Sequence, residues 1–139
     1  MANTVQPYLF FGGRCEEALD FYRKTIGAEV VTLTRFKEAP QAVPDMPDCF
    51  DEKIMHASVR VGESTFMASD GQCEGNANFE GFSMSITVPN DAEAERVFNA
   101  LSEDGLVTMP LEKTFWTSKF GMLQDKFGLG WMVSVEHKA

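Results

Sequence analysis

One pattern of apolar spacing occurs twice in this chain, and the repeat limits its fold more than any other feature. In the first copy, Val5 to Phe11 is a short apolar run that reads as a buried strand. Cys15, Ala18, Leu19, Tyr22 and Ile26 then recur at helical spacing, with Glu16, Glu17, Asp20, Arg23 and Lys24 on the other side. Gly27 is placed as a left-handed helix cap. Val30 to Thr34 is β-branched and reads as a strand; Lys53–Val61 and Ser64–Ser69 follow as a hairpin turning at Gly62-Glu63. The second copy begins near Gly81. Phe82, Met84, Ile86 and Val88 alternate with Ser83, Ser85 and Thr87. Asn90 is set to cap a helix, with Glu93 three residues on. Ala94, Val97, Phe98 and Leu101 form the apolar stripe of that helix, and Gly105 is expected to end it as Gly27 ends the first. Strands follow around Val107 to Met109, Phe115 to Gln124 and Trp131 to Val135. Ala18 matches Ala94 and Tyr22 matches Phe98, each pair 76 residues apart (94 − 18 and 98 − 22).

The fold class is therefore α+β: two tandem β-α-β-β-β modules. Residues 1–70 make the first module, 71–80 a linker and 81–139 the second, within one compact domain. Each module has a helix on only one face of its sheet. The other face needs a cover, from the second copy or from a partner subunit, and two curved sheets side by side would leave a groove suited to a ligand.

Charge narrows the partners. Lys and Arg number 12 against 21 Asp and Glu, a net −9, which disfavours nucleic acid and anionic membrane surfaces. No basic, apolar leader or spanning segment opens the chain, so a cytoplasmic location is expected. Three cysteines (Cys15, Cys49 and Cys73) with no C-x-x-C argue against a disulfide framework or structural zinc. Twelve Phe and eight Met are an excess that calls for either a well-filled core or an apolar pocket.

Alternation nominates the site residues. With Met55, Ala57, Val59 and Val61 toward the core, His56, Ser58 and Arg60 share the opposite face. With Phe82, Met84, Ile86 and Val88 toward the helix, Ser83, Ser85 and Thr87 face away from it. His56 suits a general acid or base, and equally a hydrogen-bonded structural role. Phe115, Trp116 and Phe120 with Lys119 read either as an aromatic wall bearing a cation or as core or dimer interface. Gly12-Gly13 and Gly128-Leu129-Gly130 lack the G-x-G-x-x-G frame and read as turns. Cys15 sits on the buried helix stripe, whereas Cys49 and Cys73 fall in loops. The proline-rich, acidic segment 36–52 reads as a flap at the groove mouth or an arm across a dimer.

Several motifs carry a family resemblance over almost the whole chain. They are Pro7 to Gly13, Cys15, Glu17-Ala18, Phe21-Tyr22, Met55-His56-Ala57, Ser69-Asp70, Glu112 to Trp116, Phe120-Gly121-Met122, Asp125 to Gly128, and Trp131-Met132. With them the sequence resembles the PhnB-like branch of the vicinal-oxygen-chelate superfamily, which holds glyoxalase I, bleomycin-binding proteins, fosfomycin-resistance proteins and extradiol dioxygenases. The resemblance implies a homodimer. Some relatives are described as ubiquinone-pathway methyltransferases, but the chain has no glycine-rich nucleotide loop.

Metal-dependent members hold a divalent ion with His, Gln or Glu from the first and last strands of a module. Those positions correspond to Pro7, about Gly81, Met67 and about Met132, none of which is a hard ligand. No cofactor is therefore expected. A displaced site would have to draw on His56, Asp70, Glu136 and His137. The expected pocket comprises His56, Ser58, Ser83, Ser85, Trp116, Lys119 and Met132. Three functions fit: binding of a small polar or anionic molecule without metal, a lyase, isomerase or dioxygenase built around His56, or a dimeric interaction module with a filled groove.

Overall fold

A computed structural model describes residues 3–38, 52–71 and 77–136. The chain divides into two compact units, Met1–Ala77 and Asn78–Ala139, and they share one topology. The first runs β1 (Tyr8–Phe10), α1 (Cys15–Ile26), β2 (Glu29–Arg35), a single 3-10 turn at Phe36–Glu38, β3 (Ile54–Val61) and β4 (Ser64–Ser69). The second runs β5 (Met84–Val88), α2 (Asp91–Ser102), β6 (Leu106–Glu112), β7 (Phe120–Gln124) and β8 (Gly130–Val135). Strand orders are β1-β4-β3-β2 and β5-β8-β7-β6. In each, the first strand pairs parallel with the last and the remaining pairs are antiparallel. The tandem β-α-β-β-β reading is thus the observed architecture. Among the described residues no helix is long and apolar enough to cross a membrane.

In the first unit the stripe Cys15, Ala18, Leu19 and Tyr22 is buried, as are Leu9, Ala57, Val59, Phe66 and Ala68 on the strands. Tyr22 packs between Phe11 and Phe66, with ring centroids 6.1 and 6.4 Å away. Gly27 closes α1 at φ 68°, the left-handed conformation that a Cβ would oppose. Strand β1 is shorter than the apolar run predicts, and Val5 is 99% exposed. On β3 the buried residue is Ile54 rather than Met55, because a register irregularity between Thr34 and Arg35 shifts the pleat there.

In the second unit Ala94, Val97, Phe98 and Leu101 are buried as the periodicity requires. Phe98 lies over Gly121 of β7, where a Cβ would come within 2.6 Å of the ring, so the helix can approach the sheet only at a glycine. The Asn90 side chain accepts a hydrogen bond from Glu93 N at 2.8 Å. The Glu93 carboxylate pairs with Arg96 instead of reaching back to Asn90. Asn90→Ala is expected to cost about 1 kcal/mol, measured by chemical denaturation, since one first-turn N–H loses its acceptor.

Two further boundaries differ from expectation. Gly105 does not end α2: the helix stops at Ser102 with Glu103 as its cap, and the left-handed residue is Asp104, at φ 59°. Residues 115–119 are not strand but a turn organised by Thr114, whose hydroxyl accepts from Thr117 N at 3.2 Å. Thr117 then donates to Val135 O at 2.8 Å and fastens the turn to β8. The predicted flap lies almost wholly outside the described residues, as do Cys49, Cys73 and His137. Its two ends are joined, because Phe36 N donates to Lys53 O at 3.1 Å.

Candidate functional site

The face of the first sheet away from α1 is set by register. Tyr8 stands beside Met67, Met67 beside Ser58, and Ser58 beside Thr32, one residue from each strand. Cross-strand partners project to the same side, so these four form a row, while Leu9, Ala68 and Ala57 form the next row on the helix side. His56 is opposite Thr34 on the outer face and half-buried. The Tyr8 hydroxyl is 2.9 Å from His56 Nδ1. Phe10 stacks on the Tyr8 ring at 5.0 Å and 24°. Burial raises the Tyr8 pKa above its ordinary value, which keeps the phenol neutral and able to donate. When the phenol donates to Nδ1, the neutral imidazole carries its hydrogen on Nε2, and that N–H becomes a donor for a ligand oxygen.

Tyr8 is the candidate site residue that sequence reasoning missed. The run Tyr8-Leu9-Phe10-Phe11 reads as uniformly buried, yet only Leu9 and Phe11 enter the core. A period-of-two reading would have turned Tyr8 and Phe10 outward. Arg60 joins no site: it pairs with Glu29 at the far end of the β2–β3 ladder.

On the second sheet, Ser85 is beside Met132 and Met132 beside Met122, on the face away from α2. Ser83 precedes β5 and places its hydroxyl 3.0 Å from where a Cβ on Gly130 would stand. Trp116 packs edge-on against Phe115 at 4.8 Å and Phe120 at 5.3 Å, so the aromatic cluster exists. Lys119 is not its cation. Alternation from Phe120 turns Lys119 toward α2, where Nζ lies 3.6 Å from Glu95 Oε1. His56 and Ser58 thus stand on one sheet, Ser85 and Met132 stand on the other, and Ser83 lies just before β5.

Both carboxylate oxygens of Asp70 are engaged by backbone N–H groups rather than held open for a displaced metal site. Asp70 is 1% exposed and accepts from Cys15 N at 2.8 Å and Ile54 N at 2.7 Å. It occupies the N-terminus of α1 that follows Gly12-Gly13, so an incoming phosphate would meet a carboxylate there. Among the described residues no three His, Cys, Asp or Glu side chains gather. Pro7 and Gly81 offer no donor side chain, and Met67 and Met132 offer only thioethers. The residues do not fit a hard divalent ion. Cys15 is buried, and burial pushes its thiol pKa well up, away from nucleophilic chemistry. A depression of about 430 Å³ lies where β8 ends beside α2, but Asp91 and Glu136 line it.

The chain matches the family model described as 3-demethylubiquinone-9 3-methyltransferase over residues 3–134. It belongs to that PhnB-like family. Protein YjdN from Escherichia coli K12 is 35% identical over 138 residues, covering 94% of each chain. Protein PA1353 from Pseudomonas aeruginosa is 40% identical, with a TM-score of 0.84 over 99% of this chain and 100% of that one. A PhnB protein from Bacillus cereus is 27% identical, with a TM-score of 0.79 over 96% and 100%. The PhnB-like fold extends to a glyoxylase/bleomycin resistance protein/dioxygenase domain from Frankia, 10% identical at a TM-score of 0.65 over 100% of this chain and 95% of that one.

Proposed function

We propose that this PhnB-like protein binds a small oxygen-bearing, polar or anionic molecule on the open face of its first sheet, without a divalent metal. The observation that carries this is the 2.9 Å hydrogen bond between Tyr8 and His56 Nδ1. It fixes the imidazole and leaves Nε2 as the group that meets a ligand oxygen. The Tyr8 and Phe10 rings supply apolar contact beside it, and Met67 and Ser58 continue the face.

The test is a panel of small carboxylates, phosphonates and phenolates, read by melting temperature and by the His56 Cε1–H NMR resonance. A binder is expected to raise Tm and shift that resonance. His56→Ala should abolish the rise in Tm. Tyr8→Phe should weaken binding about fivefold, the worth of one net hydrogen bond of about 1 kcal/mol. A panel member that binds equally well to the His56→Ala protein would overturn the reading.

A second reading, proton transfer by the same imidazole, is favoured by the tautomer that Tyr8 imposes. It requires a reaction whose rate falls at least a hundredfold in His56→Ala. Homodimer formation belongs to the same proposal and is checked by sedimentation.

A further inference from the structure

Eight methionines are many for 139 residues, and one face of the second sheet gathers three of them. Met109 of β6 is the cross-strand partner of Met122 on β7, and Met122 is the partner of Met132 on β8. Partners in register project to one face with Cβ atoms roughly 4.5–5.5 Å apart. The adjacent row Val107, Leu123 and Trp131 takes the helix side, where Leu123 and Trp131 are buried. The three methionines therefore lie side by side on the face away from α2. Met122 and Met132 are half-buried, and Met109 is 44% exposed.

Three unbranched thioethers at this spacing can each turn a sulfur toward a common centre. Thioethers are soft donors that favour soft cations and serve Mg²⁺ or Ca²⁺ poorly. The only other residue in the row is Ser85, the partner of Met132. We infer that Met109, Met122 and Met132 form a three-thioether site for a soft monovalent cation, Cu(I) or Ag(I). The site stands on the pairing of three neighbouring strands in one sheet, with a register irregularity on either side of Met109 in β6. It does not depend on the Tyr8–His56 reading, which concerns the other sheet.

The experiment uses the full chain carrying Cys49→Ser and Cys73→Ser, because their thiols would compete for a soft ion. Methyl-¹³C methionine is incorporated, each resonance is assigned by a Met→Leu substitution, and silver nitrate is titrated in chloride-free buffer. The methyl resonances of Met109, Met122 and Met132 should move together and saturate at one Ag(I) per chain, while those of Met55, Met67 and Met84 stay still. Met122→Leu removes the central donor and should weaken binding at least tenfold. Met109→Leu, on an exposed edge strand, should do the same and serves if the Met122 variant folds poorly. Independent movement of all methionine resonances, or unchanged affinity in Met109→Leu, would overturn the site.

Discussion

Asp70→Ala is expected to lower the stability of this protein by about 2–6 kcal/mol. The carboxylate is buried and accepts from two backbone N–H groups, one opening α1 (Cys15) and one opening β3 (Ile54). Each donor left buried without an acceptor costs about 1–3 kcal/mol. The negative charge also favours the helix N-terminus it faces. Arg14, the residue at the cap position of α1, makes no side-chain capping bond, so nothing local replaces Asp70. Against a typical total of about 5–15 kcal/mol, the loss is large enough to lower Tm by at least about 6 °C. Asp70→Asn keeps one acceptor oxygen and presents an amide to the other donor, so it should lose about half as much. A melting temperature within 3 °C of the parent for Asp70→Ala, by a threshold of about 1 kcal/mol, would show that water or a local shift satisfies both donors.

The contrast between Asp70 and Asn90 shows what could be read from the chain before its structure. Both serve the first turn of a helix. Asn90 does so within three residues, through its own side chain and Glu93 N, and spacing reveals it. Asp70 acts from the far end of β4, 55 residues from Cys15, a relation that no local pattern expresses. The same division holds elsewhere. Helix stripes, the Gly62-Glu63 hairpin and most of both strand alternations depend on neighbours in sequence, and they were legible; Met55, and Phe82 at 46% exposed, depart from the alternation. Which pairs meet across strands depends on register. The Tyr8–His56 contact, 48 residues apart, emerged only once β1 was seated parallel to β4 beside β3. Lys119 was misplaced because its segment read as one long strand, whereas Thr114 and Thr117 hold a turn and β7 starts at Phe120. Of the candidate site, the imidazole was found from sequence and its partner was not.

Glycine at position 105 offers the second large effect, for a reason the sequence did not suggest. A glycine after a helix is ordinarily read as the left-handed cap. Here Asp104 takes that conformation, and Gly105 instead passes against β7. A Cβ at Gly105 would lie 2.2 Å from Gln124 O, 3.0 Å from Asp125 C and 3.1 Å from Asp125 Cα. All three are backbone atoms, so no side-chain rotation relieves the clash. Leu106, the next residue, pairs with Gln124 at the start of the β6–β7 ladder, and displacing Gly105 strains that pairing. Gly105→Ala should therefore destabilise by about 3 kcal/mol, at the upper end of overpacking costs. Asp104→Gly should be neutral or gain up to about 1 kcal/mol, because glycine relieves the left-handed backbone, partly offset by the unfolded chain's added freedom. Urea denaturation of the two variants separates the explanations. If the cap were at Gly105, its alanine variant would lose only about 1 kcal/mol, the cost of a strained backbone angle. A loss two to three times larger, with Asp104→Gly unharmed, identifies the requirement at 105 as space between backbones.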